Sequence, residues 1–451
     1  MPPLSVPLIT FPEDVYSDVR VERVATTLIQ IRDGALEALA ERTMVGAMLR
    51  VLKDGQWYYA STTDLDDISG QLTALAAAPR LPKQDGGGDV SLFLRPHVAT
   101  VRRYDDSRID EVDAAEKLAL LRSREHLLAR PSVRSWSATH SDEHVDKRFL
   151  SSKGADISFD RQSVGFDYSF TISHGEQTLT ERFYVGSDDF SDLIGHDEAL
   201  IAQLVRSERF VAEAEPITPG EYTVILGPTP AGIFAHESFG HKSEADFMLG
   251  DETMLESWPI GKPVGAPLLS IIDDGGVDGR GYVPYDDEGQ PARRTWLIKD
   301  GVLTGRLHSA PTAAALDEAT TGNARAMSFL YEPIVRMTNT WIAPGDQSRE
   351  ALFAGVEEGY FIETVKHGSG MSTFTLAPSL AWKIEQGQIT RPVRISVATG
   401  TVFETLQEID GVSDTLELDW SPRGGCGKME QYPLPVGLGG PYVRVRRLQL
   451  S

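Results

Sequence analysis

In the first sixty residues, short apolar runs alternate with polar ones. Residues 19–22 and 28–32 read as strands followed by the turn signal Asp33-Gly34, and residues 45–52 and 56–59 flank an Asp-Gly turn as a predicted hairpin. Residues 35–42 are rich in helix formers, and their state is ambiguous. Ser61 to Asp64 offer caps for a helix over 65–78 that ends before Pro79, and residues 82–88 read as a loop. Apolar residues at Val112, Ala115, Leu118, Leu121 and Leu128 predict a helix over 110–129, stopped by Pro131. Residues 133–185 return to strand composition, broken at Gly154 and at His174-Gly175, and a third helix is expected over 196–212.

The cluster Pro216-Ile217-Thr218-Pro219-Gly220 marks a boundary, giving an N-terminal domain over 1–215 and a C-terminal one over 216–451. Beyond it, residues 221–226 form a strand, and Gly227-Pro228-Thr229-Pro230 is a loop leading into a helix with His236. The remainder carries short β-like runs at 268–272, 295–299, 302–308, 382–384 and 392–397. The expected class is α+β: an N-terminal α/β domain with an antiparallel sheet, and a mainly antiparallel β domain carrying that helix.

Composition narrows the function classes. A net charge of −23 argues against a nucleic-acid partner, whose phosphates demand Lys and Arg. No run approaches 18 uncharged apolar residues, which argues against a helical membrane span, and the first residues do not read as a secretory signal. The single cysteine, Cys426, permits no intrachain disulfide and fits a cytoplasmic protein.

The chemistry concentrates in His236-Glu237-Ser238-Phe239-Gly240-His241. Two imidazoles are good zinc ligands, and a glutamate beside the first can take a proton from an activated water. On a regular helix, five residues leave the two histidines roughly 140° apart; a π-type turn brings them together, with Gly240 as the residue tolerating the distortion. Composition alone gives about 0.03 chance matches, yet two histidines and a glutamate on a polar helix remain the plain alternative. Cys426, in Gly424-Gly425-Cys426-Gly427-Lys428, is the candidate third ligand: Lys428 favours a thiolate, and two His plus one Cys leave a fourth position open. The alternative is a small buried residue in a glycine turn.

Other clusters read as structural. His140-Ser141-Asp142-Glu143-His144 looks like a solvated turn, Asp286-Asp287-Glu288-Gly289 like a surface turn, and His308 like a structural histidine. His367, before Gly368-Ser369-Gly370, is also taken as structural, although its setting suits the lining of a site. Thr321-Gly322-Asn323 and Arg336-Met337-Thr338-Asn339-Thr340 offer hydrogen bonds to a substrate backbone and serve equally as turns and strand ends.

Taken together, the 236–241, 286–289, 321–323, 336–340 and 425–428 motifs resemble those of the TldD/PmbA family, predicted metallopeptidases also described as modulators of DNA gyrase. The resemblance implies a dimer with its active site enclosed near the subunit interface, formed by two copies or with a metal-lacking paralogue. It implies zinc on His236, His241 and Cys426, with Glu237 as catalytic base; the leading expectation is then a cytoplasmic zinc metallopeptidase acting on unfolded or small peptides. A non-catalytic peptide-binding or assembly subunit with a structural metal is the alternative.

Overall fold

The computed structural model describes residues 4, 6–79, 88–370 and 372–451; most of the 82–88 loop lies outside them. The N-terminal half is built on long antiparallel strands. β1 (Tyr16–Arg32), β2 (Ala35–Lys53) and β3 (Gln56–Thr62) form a meander; β5 (Val133–Ser151) pairs with β1 on one side and with β6 (Asp156–His174) on the other, leaving β4 (Val98–Val101) and β7 (Gln177–Ser187) both against β6. The ambiguous 35–42 segment is strand because β1 pairs with it residue by residue, an override of local propensity by tertiary pairing. Helices α1 (Ile68–Ala77), α2 (Ala114–Arg122), α3 (Glu125–Leu128) and α4 (Asp197–Glu213) flank this sheet. The expected 110–129 helix is therefore two pieces. It breaks at Ser123-Arg124, where the buried Arg124 turns to donate to Asp197 at 2.8 Å and to the Leu193 carbonyl at 3.0 Å.

The chain enters a ten-stranded sheet at Glu215–Pro216, an edge strand, and continues in it at Gly220–Leu226; a six-stranded sheet that includes Ile271–Asp273, Thr295–Lys299 and Asn339–Ile342 joins it. Together with the N-terminal sheet these strands make an α+β molecule dominated by antiparallel pairing. Four short helices not anticipated from sequence, Glu252–Ser257, Ala310–Leu316, Arg349–Ala354 and Val402–Glu408, occur here among the described residues; at six or seven residues they are too short for a clear 3.6-residue period.

Two readings of polar clusters are corrected. His140 to His144 is not a solvated turn but the buried middle of β5, where His140 Nε2 meets Asp142 at 2.8 Å, Lys117 Nζ meets Asp142 at 2.7 Å and His144 Nδ1 meets Gln162 at 2.9 Å. The turn-forming composition misleads because each of these five residues finds at least one polar partner within the fold, Ser141 on the Pro422 carbonyl and Glu143 on Arg161 included. Likewise Asp286, Asp287 and Glu288 are buried. Glu288 accepts from Arg50 at 3.1 Å, and Asp287 pairs with Lys147 at 2.7 Å and Arg20 at 3.5 Å, fastening the N-terminal sheet to the C-terminal half.

Candidate metal centre

The helix that presents the site runs Pro228–Ala235. Pro228 opens it rather than belonging to a preceding loop, as proline is tolerated where the first helical N–H groups have no partner. From His236 to Gly240 the backbone widens into a π-helical turn, closed by the His241 N–H donating to the His236 carbonyl. Widening lets five residues complete one circuit, and the two imidazole rings stand 5.0 Å apart at 81°. Gly240 keeps ordinary right-handed angles (φ −55°), so the distortion does not require its freedom; a Cβ there would overlap the buried Met337 Sδ. Close packing makes that position a glycine.

Cys426 arrives from the opposite direction on Cys426–Lys428, hairpinned with Gln431–Leu434. Gly424 supplies a left-handed turn (φ +80°) ahead of it, and the fully buried Arg336 donates to the Cys426 carbonyl at 2.7 Å and to Gln431 at 3.3 Å. The ligating atoms of His236, His241 and Cys426 all lie within 4.8 Å of one another, with Sγ 3.4 Å from His241 Nε2.

Burial alone pushes the Cys426 thiol up; the charge and hydrogen bond of His236, with the hydrogen bond to His241, overcome this and bring it down to about 5. Burial lowers the His241 imidazole, but its bonds to Cys426 and Glu244 lift it to about 10. Buried His236 Nδ1 has no hydrogen-bond partner. A thiolate and two imidazoles, one with an orphaned nitrogen, form a donor set suited to a tetrahedral zinc ion with one position open.

A supporting residue that the motif reading overlooked is Glu244. Its carboxylate accepts from His241 Nδ1 at 3.1 Å and pairs with Lys428 Nζ at 3.1 Å. Burial raises the Glu244 carboxyl, yet His241 and Lys428 hold it below its ordinary range. Lys428 thus serves Glu244 and Asp246 (2.6 Å) rather than the thiol beside which it sits in sequence. The three-residue step from His241 to Glu244 was a signal available in the chain.

His236, Glu237 and Cys426 open into a cavity of about 800 Å³ between the two halves of the chain. Glu237 is half-buried there. Two edge strands border the cavity, β7 from the first half and Val365–Gly370 from the second, and exposed His367 lies on its wall. His308 is apart, buried against Thr312 and Glu318. Asn323, Thr338 and Thr340 surround the buried Asp273 carboxylate at 2.6 to 2.8 Å, so these motifs brace the interior instead of meeting a substrate. A larger groove of about 1160 Å³, lined by Glu357, Glu358 and Arg444 among others, contains none of the candidate ligands.

Comparison with known proteins places these features in context. Residues 17–78, 107–213 and 219–451 match, respectively, domain 1, the central domain and the C-terminal domain of the PmbA/TldA metallopeptidases. A metalloprotease of Synechocystis is 34% identical, the match covering 96% of this chain and 93% of the relative; a zinc metalloprotease TldD homolog of Saccharolobus solfataricus is 28% identical over 97% and 96%. Among solved structures, a putative modulator of DNA gyrase from Thermotoga maritima (18% identity, TM-score 0.76) and TldE from Thermococcus kodakarensis (15%, 0.73) share the fold, each over 97% of this chain and 96% of the other.

Proposed function

Because the chain belongs to the TldD/PmbA metallopeptidase family, we propose that it is a zinc-dependent peptidase of unfolded or small peptides. The convergence of His236, His241 and Cys426 within 4.8 Å, at the wall of a cavity that Glu237 also lines, carries this reading.

His236, His241 and Cys426 would hold the ion, and Glu244 fixes the His241 ring through Nδ1. When bound, zinc supplies Lewis acidity that polarises the scissile carbonyl and makes water a better nucleophile. Glu237 accepts the proton of the attacking water and returns it to the departing amine. Val365–Gly370 stands at the end of the ten-stranded sheet with one hydrogen-bonding side unpaired among the described strands, so an extended peptide can add to it through its main chain. Recognition of this kind reads backbone more than sequence, which suits unfolded substrates.

The reading includes a cytoplasmic protein, to which the free thiol of Cys426 lends support, and a dimer of two copies or with a metal-lacking paralogue, which native mass measurement distinguishes. Its test is zinc content and peptide cleavage in wild type and Glu237→Gln. The variant should keep its zinc and cleave on the order of 10² to 10⁴-fold more slowly; undiminished cleavage contradicts the assignment of the base, whereas a wild type that cleaves nothing leaves a peptide-binding or assembly role.

A further inference from the structure

Among the groups facing the metal-site cavity, Arg280 has no evident use in the fold. No described residue offers it a hydrogen bond or an ion pair within 4.0 Å, and its Nε is enclosed without a partner. Burial pushes its guanidinium below the ordinary value, with Glu143 and Asp419 only partly restoring it. Holding a largely buried cation with no carboxylate in direct contact is costly unless a ligand supplies one.

The loop that carries Arg280 is rigidly held. Asn339 Oδ1 accepts from the Gly281 N–H at 2.9 Å, while Asn339 Nδ2 donates to the carbonyls of Asp274 and Val277, each at 3.1 Å. The backbone is thus fixed on both sides of Arg280, a prearranged presentation of its side chain.

The surrounding charge agrees. Arg182, Arg280, Lys366 and Arg423 line the cavity against three carboxyls, and two of those are shifted toward the neutral form by burial: Glu181 rises to about 7, and Asp419, which accepts from Tyr184 at 2.9 Å, is also raised. Asp167, the partner of Arg423 (2.5 Å) and Arg182 (3.6 Å), leaves Arg280 unmatched. Four cationic side chains in the lining of this cavity, in a chain of net charge −23, make it more favourable to an anion than the rest of the surface.

Resting on the peptidase reading above, we propose that Arg280 anchors a carboxylate of the bound peptide, so the protein selects peptides that present one to this cavity. Arginine's planar fork pairs with a carboxylate through two parallel hydrogen bonds. The carboxylate is either the peptide's own C-terminus or an acidic side chain, and the test separates them.

Four peptides of one sequence, with free-acid or amidated C-terminus and with Asp or Asn at an internal position, are compared in cleavage by the zinc-loaded protein and in binding by Glu237→Gln. At least about a tenfold preference for the free acid identifies the terminus as source, and the same preference for Asp identifies the side chain. Arg280→Gln should abolish the preference by weakening only the acid peptides, chiefly in KM, and Arg280→Lys should restore part of it. Equal handling of all four peptides by wild type, or an equal loss on all four in Arg280→Gln, overturns the proposal. Selective binding without any cleavage would retain the anchor and remove the peptidase reading, whereas indiscriminate cleavage would do the reverse.

Discussion

Cys426 Sγ and His241 Nε2 lie 3.4 Å apart, a proximity that draws the thiol down and lifts the imidazole. In metal-free protein, thiolate absorbance should disappear near pH 5 instead of near the ordinary 9, and Cys426→Ser should lack that transition; a midpoint near 9 would mean the imidazoles do not act on the thiol. For stability the signs are opposite. The depressed thiol contributes fully above about 9 and loses its contribution as pH falls through about 5. The raised imidazole contributes fully below 6.5 and loses it as pH climbs through about 10. Glu244→Gln should weaken zinc affinity by about 10 to 100-fold while leaving the three ligands in place, measured by competition with a chelator; unchanged affinity would make Glu244 a bystander. Sequence made the candidate ligands visible because their residue types are scarce, with one cysteine and 10 histidines. Lys428 was misassigned because its partners, Glu244 and Asp246, lie about 180 residues away in the chain and meet it only in the fold.

At the scale of elements, the five-residue histidine spacing anticipated the π-helical turn, since no regular helix puts both rings on one side. The reason for Gly240 was not legible, because Met337 comes from a distant strand region. Gly240→Ala should cost about 1 to 3 kcal/mol in chemical denaturation through overpacking, and a smaller residue at Met337 should recover part of it; no loss would show that the turn relaxes freely. Strand composition served well in β1, β5 and β6 but failed at His140 to His144, where a polar run is strand because both neighbouring strands pair with it. At the edge strand Val365–Gly370, peptide addition predicts that N-methylating substrate amides weakens binding at alternate positions, as the hydrogen-bonding side of a strand alternates. Uniform tolerance of N-methylation would exclude that mode.

Across the whole molecule, the two halves meet at buried charge and enclose the cavity between their sheet edges. Lys147 is shared by Asp287 at 2.7 Å and Glu22 at 3.2 Å, and Lys147→Met would leave these two buried carboxylates with Arg20 as their one remaining cationic partner among the described residues. A loss of about 3 to 5 kcal/mol in chemical denaturation is expected, and a near-neutral result would mean water or rearrangement satisfies them. Composition signalled an acidic chain, but not that several of its cations gather in one cavity, because that depends on how β7, the Arg280 loop and the Cys426 hairpin are brought together.

The zinc ligand shell, read by X-ray absorption on the zinc-loaded protein, bears most directly on the central claim. One sulfur at about 2.3 Å and two imidazole nitrogens at about 2.0 to 2.1 Å are expected, with the sulfur absent in Cys426→Ser. A shell without sulfur in the wild type, or one unchanged by that substitution, would contradict a centre built from His236, His241 and Cys426.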